Sequence, residues 1–212
     1  MYFFDLDGTL LDSNGLWQEI DRVCLGRYGV DPVPPDYTEF VTHHGFPESA
    51  AYTRKRYALP LTEEEIMAVW LRMARDAYSG RLPLKPGARD FLGRAAKAGI
   101  PCAVATSCLP ELCTAALRGH GLTGFFRQVF CTAQVGFDKR DPEYFSAVAR
   151  ACGLSGPDCT LFEDSPVNCA AAKAAGWRVL GVADPMFADR VGELRAACGR
   201  EDVPFSFLQP LP

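Results

Sequence analysis

The chain has 212 residues, 48% hydrophobic and 23% charged, the balance of an ordinary globular protein, which excludes a disordered or fibrous chain. Its 22 Lys and Arg against 26 Asp and Glu give a formal net charge of −4, so the surface as a whole offers no cationic field, and neither nucleic acid nor anionic lipid is expected as a partner. The longest run free of charged residues, 98–110, contains Gly and Pro and falls short of the ~20 apolar residues that a membrane span needs.

At the start, Met1 to Phe4 are followed at once by Asp5 and Asp7, with no basic leader and no long apolar stretch. No secretory signal is expected, and the default compartment is the cytoplasm. Strand-type apolar runs at 2–4, 102–106, 128–131, 159–162 and 178–182 alternate with helix-like segments. That alternation predicts an α/β fold, a Rossmann-like parallel sheet with helices on both faces.

The first and second runs are far apart, and residues 13–82 between them carry amphipathic helical patterns at 16–28, 39–57 and 62–78. The last opens on Thr62-Glu63-Glu64-Glu65, a capping-box signature. The expected organisation is an all-helical cap over 13–82 inserted into a catalytic core of 1–12 and 83–212, with the turn-rich segments 12–15 and 82–87 as a two-strand hinge. Three later helices start with proline, at Pro110, Pro142 and Pro166, the last two with Asp141 and Ser165 as N-caps. The nine cysteines are odd in number and lack Cys-x-x-Cys spacing, so they read as free, mostly buried thiols. The Pro-rich end, 203–212, reads as either a docked or a frayed tail.

The sharpest chemical signal is the end of the first strand, Phe4-Asp5-Leu6-Asp7-Gly8. In an extended segment residues i and i+2 point to the same side. Two such carboxylates repel each other and attract a hard divalent cation, and Mg²⁺ favours one or two carboxylates together with phosphate oxygens and water. A surface Asp-Gly turn closing a hairpin fits the same residues.

Asp5-x-Asp7-Gly8-Thr9 resembles the first motif of the haloacid dehalogenase superfamily of phosphohydrolases, in its helical-cap, phosphatase and β-phosphoglucomutase-like branch. Cys102 to Ser107 is similar to the second motif, with Thr106 at the hydroxyl position. Lys139 resembles the third, and Leu161-Phe162-Glu163-Asp164-Ser165 the fourth. The resemblance spans 1–12 and 83–183.

It implies a Mg²⁺-dependent phosphatase of a small phosphorylated metabolite, with Asp5 as the nucleophile that forms an aspartyl phosphate and Asp7 as general acid and base. The metal would be held by Asp5, the backbone carbonyl of Asp7, Asp164, and Glu163 directly or through water. Thr106, Ser107 and Lys139 would bind the phosphoryl group. Asn168 stands where the family often has Gly, a departure expected to bear on local helix packing and to touch no implied ligand. The dehalogenases lack the second aspartate, so Asp7 argues against carbon–halogen cleavage.

A sugar phosphomutase of the β-phosphoglucomutase type is the alternative, weakened by Trp17 at the position where those enzymes carry a histidine. A non-enzymatic phospho-accepting switch domain is the lesser alternative, since such modules lack both the insert and the second aspartate. Within the cap, His43, His44, Arg54 and Arg56 are candidate specificity residues, and no protein partner is implied.

Overall fold

The structure, a computed structural model, describes residues 1–43, 46–199 and 204–212. The chain forms two compact units: Met1–Asn14 with Leu82–Pro212, and Gly15–Arg81. The first unit is built on five strands, β1 (Tyr2–Phe4), β2 (Cys102–Thr106), β3 (Phe126–Cys131), β4 (Thr160–Glu163) and β5 (Arg178–Gly181), all parallel in the order β3-β2-β1-β4-β5. The α/β fold with a parallel sheet is the one expected. Because both faces are covered, β1, β2 and β4 are buried along their whole length, and such strands read as continuous apolar runs. β3 is longer than its apolar run, starting at Phe126, because its register against β2 shifts at one point and lets Arg127 bulge.

Successive side chains of the central strand build the two halves of the core. Phe3 packs against Trp177 at a ring separation of 4.5 Å, among Tyr144, Phe145, Val148, Leu161 and Val179. These residues draw helices α8 (Pro142–Ala151) and α9 (Pro166–Ala174) onto that face. Phe4 points the other way, stacked on Phe162 at 4.6 Å and edge-on to Phe91 of helix α5 (Ala88–Lys97) at 6.1 Å. The remaining helices of this unit are α6 (Pro110–Gly119), α7 (Thr132–Val135) and α10 (Val191–Cys198). Asp141 caps α8 through the Glu143 N–H at 2.9 Å.

The Pro-rich end is docked. Phe205 N–H donates to the Gly181 carbonyl at 2.6 Å, and Phe205 and Phe207 are buried in the aromatic cluster of Phe4, Phe91 and Phe162. Arg94 donates to the carbonyls of Phe207 and Gln209 at 2.8 and 2.9 Å. Removing a fully buried ring leaves a cavity that the surroundings fill only in part. Phe207→Ala is therefore expected to lower stability by ~3–5 kcal/mol, measured by denaturant unfolding. Unchanged stability would show that the tail does not contribute to the core.

The described residues of the second unit form four helices and no strand: α1 (Leu16–Gly26), α2 (Pro35–His43), α3 (Phe46–Tyr57) and α4 (Glu63–Tyr78). The single helical stretch expected at 39–57 is two helices. Pro47 has no N–H to give to the carbonyl four residues back, so it is tolerated only in the first turn of a new helix. The capping box on α4 is present: Glu65 N–H donates to Thr62 Oγ1 at 3.2 Å and Thr62 N–H donates to Glu65 Oε2 at 2.8 Å.

Asp21 of α1 is buried, accepts a hydrogen bond from the Tyr37 hydroxyl at 3.2 Å, and is pushed up by burial to about 6, against the lowering effect of that bond. A carboxyl raised in the folded state costs nothing below its ordinary range, and its cost grows as pH climbs from ~4 to ~6. Asp21→Asn keeps an acceptor for Tyr37 and loses the charge. It is expected to gain ~3 kcal/mol at pH above ~7 and almost nothing near pH ~4, read by thermal unfolding across pH. A pH-independent difference would contradict this. Among the described residues, no helix is long and apolar enough to cross a membrane.

Candidate active site

Because β2, β1 and β4 are parallel neighbours, the residues at their carboxyl ends meet along one edge of the sheet, where α/β folds place their ligands. Asp5 follows β1 directly, Thr106 ends β2, Glu163 ends β4, and Asp164 is the next residue. Carboxylate oxygens of Asp5, Glu163 and Asp164 lie within 4.8 Å of one another, and all three residues are buried. Lys139 arrives from the segment after α7 and is 1% exposed. Its Nζ lies 2.5 Å from Asp5 Oδ1, as a hydrogen bond, and 2.6 Å from Glu163 Oε2, as an ion pair without a directed hydrogen bond.

The loop after β1 folds tightly over this cluster. Gly8 has φ +75°, and a Cβ there would lie 2.1 Å from Asp164 Oδ2 and 2.3 Å from Asn14 Nδ2, so only glycine fits. Thr9 Oγ1 donates to Asp164 Oδ1 at 3.2 Å and Asn14 Nδ2 to Asp164 Oδ2 at 3.0 Å. Ser13 Oγ donates to Asp7 Oδ1 at 2.7 Å. On the β2 side, Cys108 N–H donates to Thr106 Oγ1 at 3.0 Å, while Ser107 is exposed.

The charges in this cluster do not balance. Among the described residues of the α/β unit, four buried carboxyl groups (Asp5, Glu163, Asp164, Asp184) stand against two buried ammonium groups (Lys85, Lys139), so full ionisation leaves a deficit of two positive charges. Burial pushes Asp5 well up, opposed by Lys139 and reinforced by the other carboxylates. Burial and then Glu163 push Asp164 up to about 8. Burial alone would lower Lys139, but the carboxylates of Asp5 and Glu163 outweigh it and hold the ammonium protonated. An oxygen-only donor set lacking two positive charges fits one hard divalent cation.

One expectation about the fourth motif needs correction. Asn168 does touch an implied ligand: its Nδ2 donates to Glu163 Oε1 at 3.2 Å. Ser165 holds the expected N-cap position of α9, without a side-chain cap, and its N–H donates to Glu163 Oε1 at 3.1 Å. Both donors fix the carboxylate that a glycine at 168 would leave less tightly held.

Of the candidate specificity residues, His44 and the side chain of His43 lie outside the described residues. Arg56 is engaged within the helical unit, paired with Asp36 at 2.7 and 3.1 Å, bonded to the Tyr52 hydroxyl at 2.5 Å and lying over the Tyr52 and Tyr57 rings. Arg54 lies 3.8 Å from Glu63.

The model of one protein family, described as haloacid dehalogenase-like hydrolase, matches residues 1–176. The chain belongs to this family. Within it, the chain is 29% identical over 196 residues to hexitol phosphatase A of Escherichia coli (strain K12), covering 91% of this chain and 87% of that protein. It is 32% identical over 190 residues to a probable pseudouridine-5'-phosphatase of Drosophila melanogaster, covering 86% and 80%. A solved structure of a putative β-phosphoglucomutase from Thermotoga maritima is 26% identical with a TM-score of 0.74, covering 86% of this chain and 84% of that one. The chain is thus an enzyme of the haloacid dehalogenase-like hydrolases, a phosphoric monoester hydrolase as its motifs implied.

Proposed function

We propose that this haloacid dehalogenase-like hydrolase is a Mg²⁺-dependent phosphatase that cleaves a small sugar or polyol phosphate through an aspartyl phosphate on Asp5. The observation that carries the reading is the Asp5 carboxylate at the end of the central strand, held by the buried Lys139 ammonium beside Asp164 and Glu163. Asp5, Asp164, the backbone carbonyl of Asp7 and Glu163 would hold the cation. When bound, it neutralises phosphoryl oxygens so that one anion can approach another.

Asp5 forms a bond to phosphorus as the ester P–O bond breaks, and Asp7 gives its proton to the departing alkoxide oxygen. Asp7 then takes a proton from the water that attacks the same phosphorus. The Asp5–phosphorus bond breaks, and inorganic phosphate leaves. Ser13, bonded to Asp7 Oδ1, holds that carboxyl in place for both transfers. Lys139 keeps a positive charge on the nucleophile and phosphoryl group, and Thr106 and Ser107 donate to the phosphoryl oxygens.

The phosphomutase alternative needs a proton shuttle where Trp17 stands. Trp17 packs edge-on to Phe46 at 5.2 Å, and Phe46 against Trp70 at 5.7 Å, so the indole is a packing residue of the helical unit. The relatives named for hexitol and pseudouridine phosphates support a small polyhydroxylated leaving group.

The test is phosphate release from a panel of hexose, hexitol and nucleoside phosphates, with and without Mg²⁺. Mg²⁺-dependent release is expected, fastest with a sugar or polyol ester. Interconversion of hexose phosphates without release would favour the mutase, and no turnover of any kind would overturn the reading.

A further inference from the structure

The main chain leaves the α/β unit after Asn14 and re-enters it at Leu82, and the two crossing segments are paired to each other. Leu11 and Leu84 form an antiparallel bridge, Asp12 N–H donates to the Pro83 carbonyl at 2.9 Å, and Lys85 N–H donates to the Leu10 carbonyl at 2.8 Å. Each segment sends one polar side chain to the same carboxylate, Asp184, in the loop after β5. Lys85 Nζ hydrogen-bonds to Asp184 Oδ2, with the two side chains 10% and 1% exposed. Asn14 Nδ2 donates both to Asp184 Oδ1 at 2.9 Å and to Asp164 Oδ2 at 3.0 Å. The Met186 N–H fixes Asp184 further, at 2.8 Å to Oδ1.

A buried ion pair is a poor source of stability, because desolvating two charges consumes most of what their attraction returns. The pair has another consequence here. Asp184, hydrogen-bonded by Asn14 and Lys85 and held ionised below the usual carboxylate range against the effect of its burial, accepts only, so an amide lying between the two carboxyl groups settles with Nδ2 towards it. Asp184, pinned by Lys85 and the Met186 N–H, therefore locks the Asn14 amide, and the locked amide holds one oxygen of Asp164 while Thr9 holds the other. Groups that orient a metal-binding carboxylate from behind typically change metal affinity by about 10–100-fold.

We propose that Lys85, Asp184 and Asn14 form a positioning chain that fixes Asp164 and so sets the affinity of the acidic cluster for its divalent cation. The inference rests on the metal-dependent reading above and extends it to three residues outside the motifs. None of them touches the reacting atoms.

The test is Mg²⁺ binding to metal-free protein by titration calorimetry, with thermal unfolding of the same samples. Asn14→Ala and Asp184→Asn are each expected to weaken Mg²⁺ binding by about 10-fold or more. Asp184→Asn also leaves Lys85 buried without its main partner, and a poorly folded variant would blur the result. The double variant Lys85→Met with Asp184→Leu removes both charges. It is expected to recover the melting temperature of the wild type while still binding Mg²⁺ about 10-fold more weakly, a split that a purely structural ion pair would not give. Wild-type affinity in folded Asn14→Ala and in the double variant overturns the proposal. No Mg²⁺ binding by the wild type overturns the metal-dependent reading, and the proposal with it.

Discussion

Asp5→Asn is expected to lower phosphate release by about ten-thousand-fold or more, because an amide of the same shape lacks the anionic oxygen that bonds to phosphorus. The fold is expected to survive. Burial, and then Glu163, Asp164 and Asp7, raise the Asp5 carboxyl against the opposing Lys139, so a neutral side chain removes a desolvation cost and repulsion from the cluster. Lys139 keeps its second partner, Glu163 Oε2 at 2.6 Å. The pair of measurements is kcat on the best substrate and the thermal midpoint without metal. A well-folded Asp5→Asn protein with wild-type kcat would remove Asp5 from the chemistry.

Lys139→Met should act on stability and rate together. Its ammonium is the buried cation between Asp5 and Glu163, and taking one partner out of a buried ion pair typically costs ~3–5 kcal/mol. The same charge serves the phosphoryl group in the proposed reaction, so kcat is expected to fall by about a hundred- to a thousand-fold. Added Mg²⁺ should return part of the lost stability, since the deficit of positive charge in the cluster becomes larger in the variant. Denaturant unfolding with and without Mg²⁺ checks this. A folded Lys139→Met protein as stable as wild type would show that the acidic cluster does not depend on this lysine.

The parallel sheet was legible in the sequence because strands buried on both faces are continuous apolar runs, and 2–4 and 102–106 stand out against the charged helices around them. The residues that meet at its edge were legible for a related reason. Asp5, Thr106 and the Glu163-Asp164 pair each sit at or just past the end of such a run, so a local pattern marks them.

Side chains whose partners are distant in the chain carry no such mark. Asn14 reaches residues 150 and 170 positions away, and Lys85 one 99 away. In sequence these were turn and hinge residues, and Asp184 had no motif around it. The break between α2 and α3 carries one local signal in the sequence, Pro47 at the second position of α3. Asn168 reads in the sequence as a departure from the family pattern, since only its position beside Glu163 in space reveals what its amide does.

The central claim is a phosphoryl group carried by Asp5 between two steps that both use Asp7. The most direct measurement is a rapid-mixing experiment with p-nitrophenyl phosphate on Asp7→Asn in Mg²⁺. p-Nitrophenolate is stable enough to leave without an acid, so the first step proceeds, whereas the second lacks the base that deprotonates water. The account predicts a burst of p-nitrophenolate approaching one per protein molecule, followed by near-arrest, and no burst in Asp5→Asn. Steady turnover of Asp7→Asn at the wild-type rate without a burst, or a burst in Asp5→Asn, would contradict it.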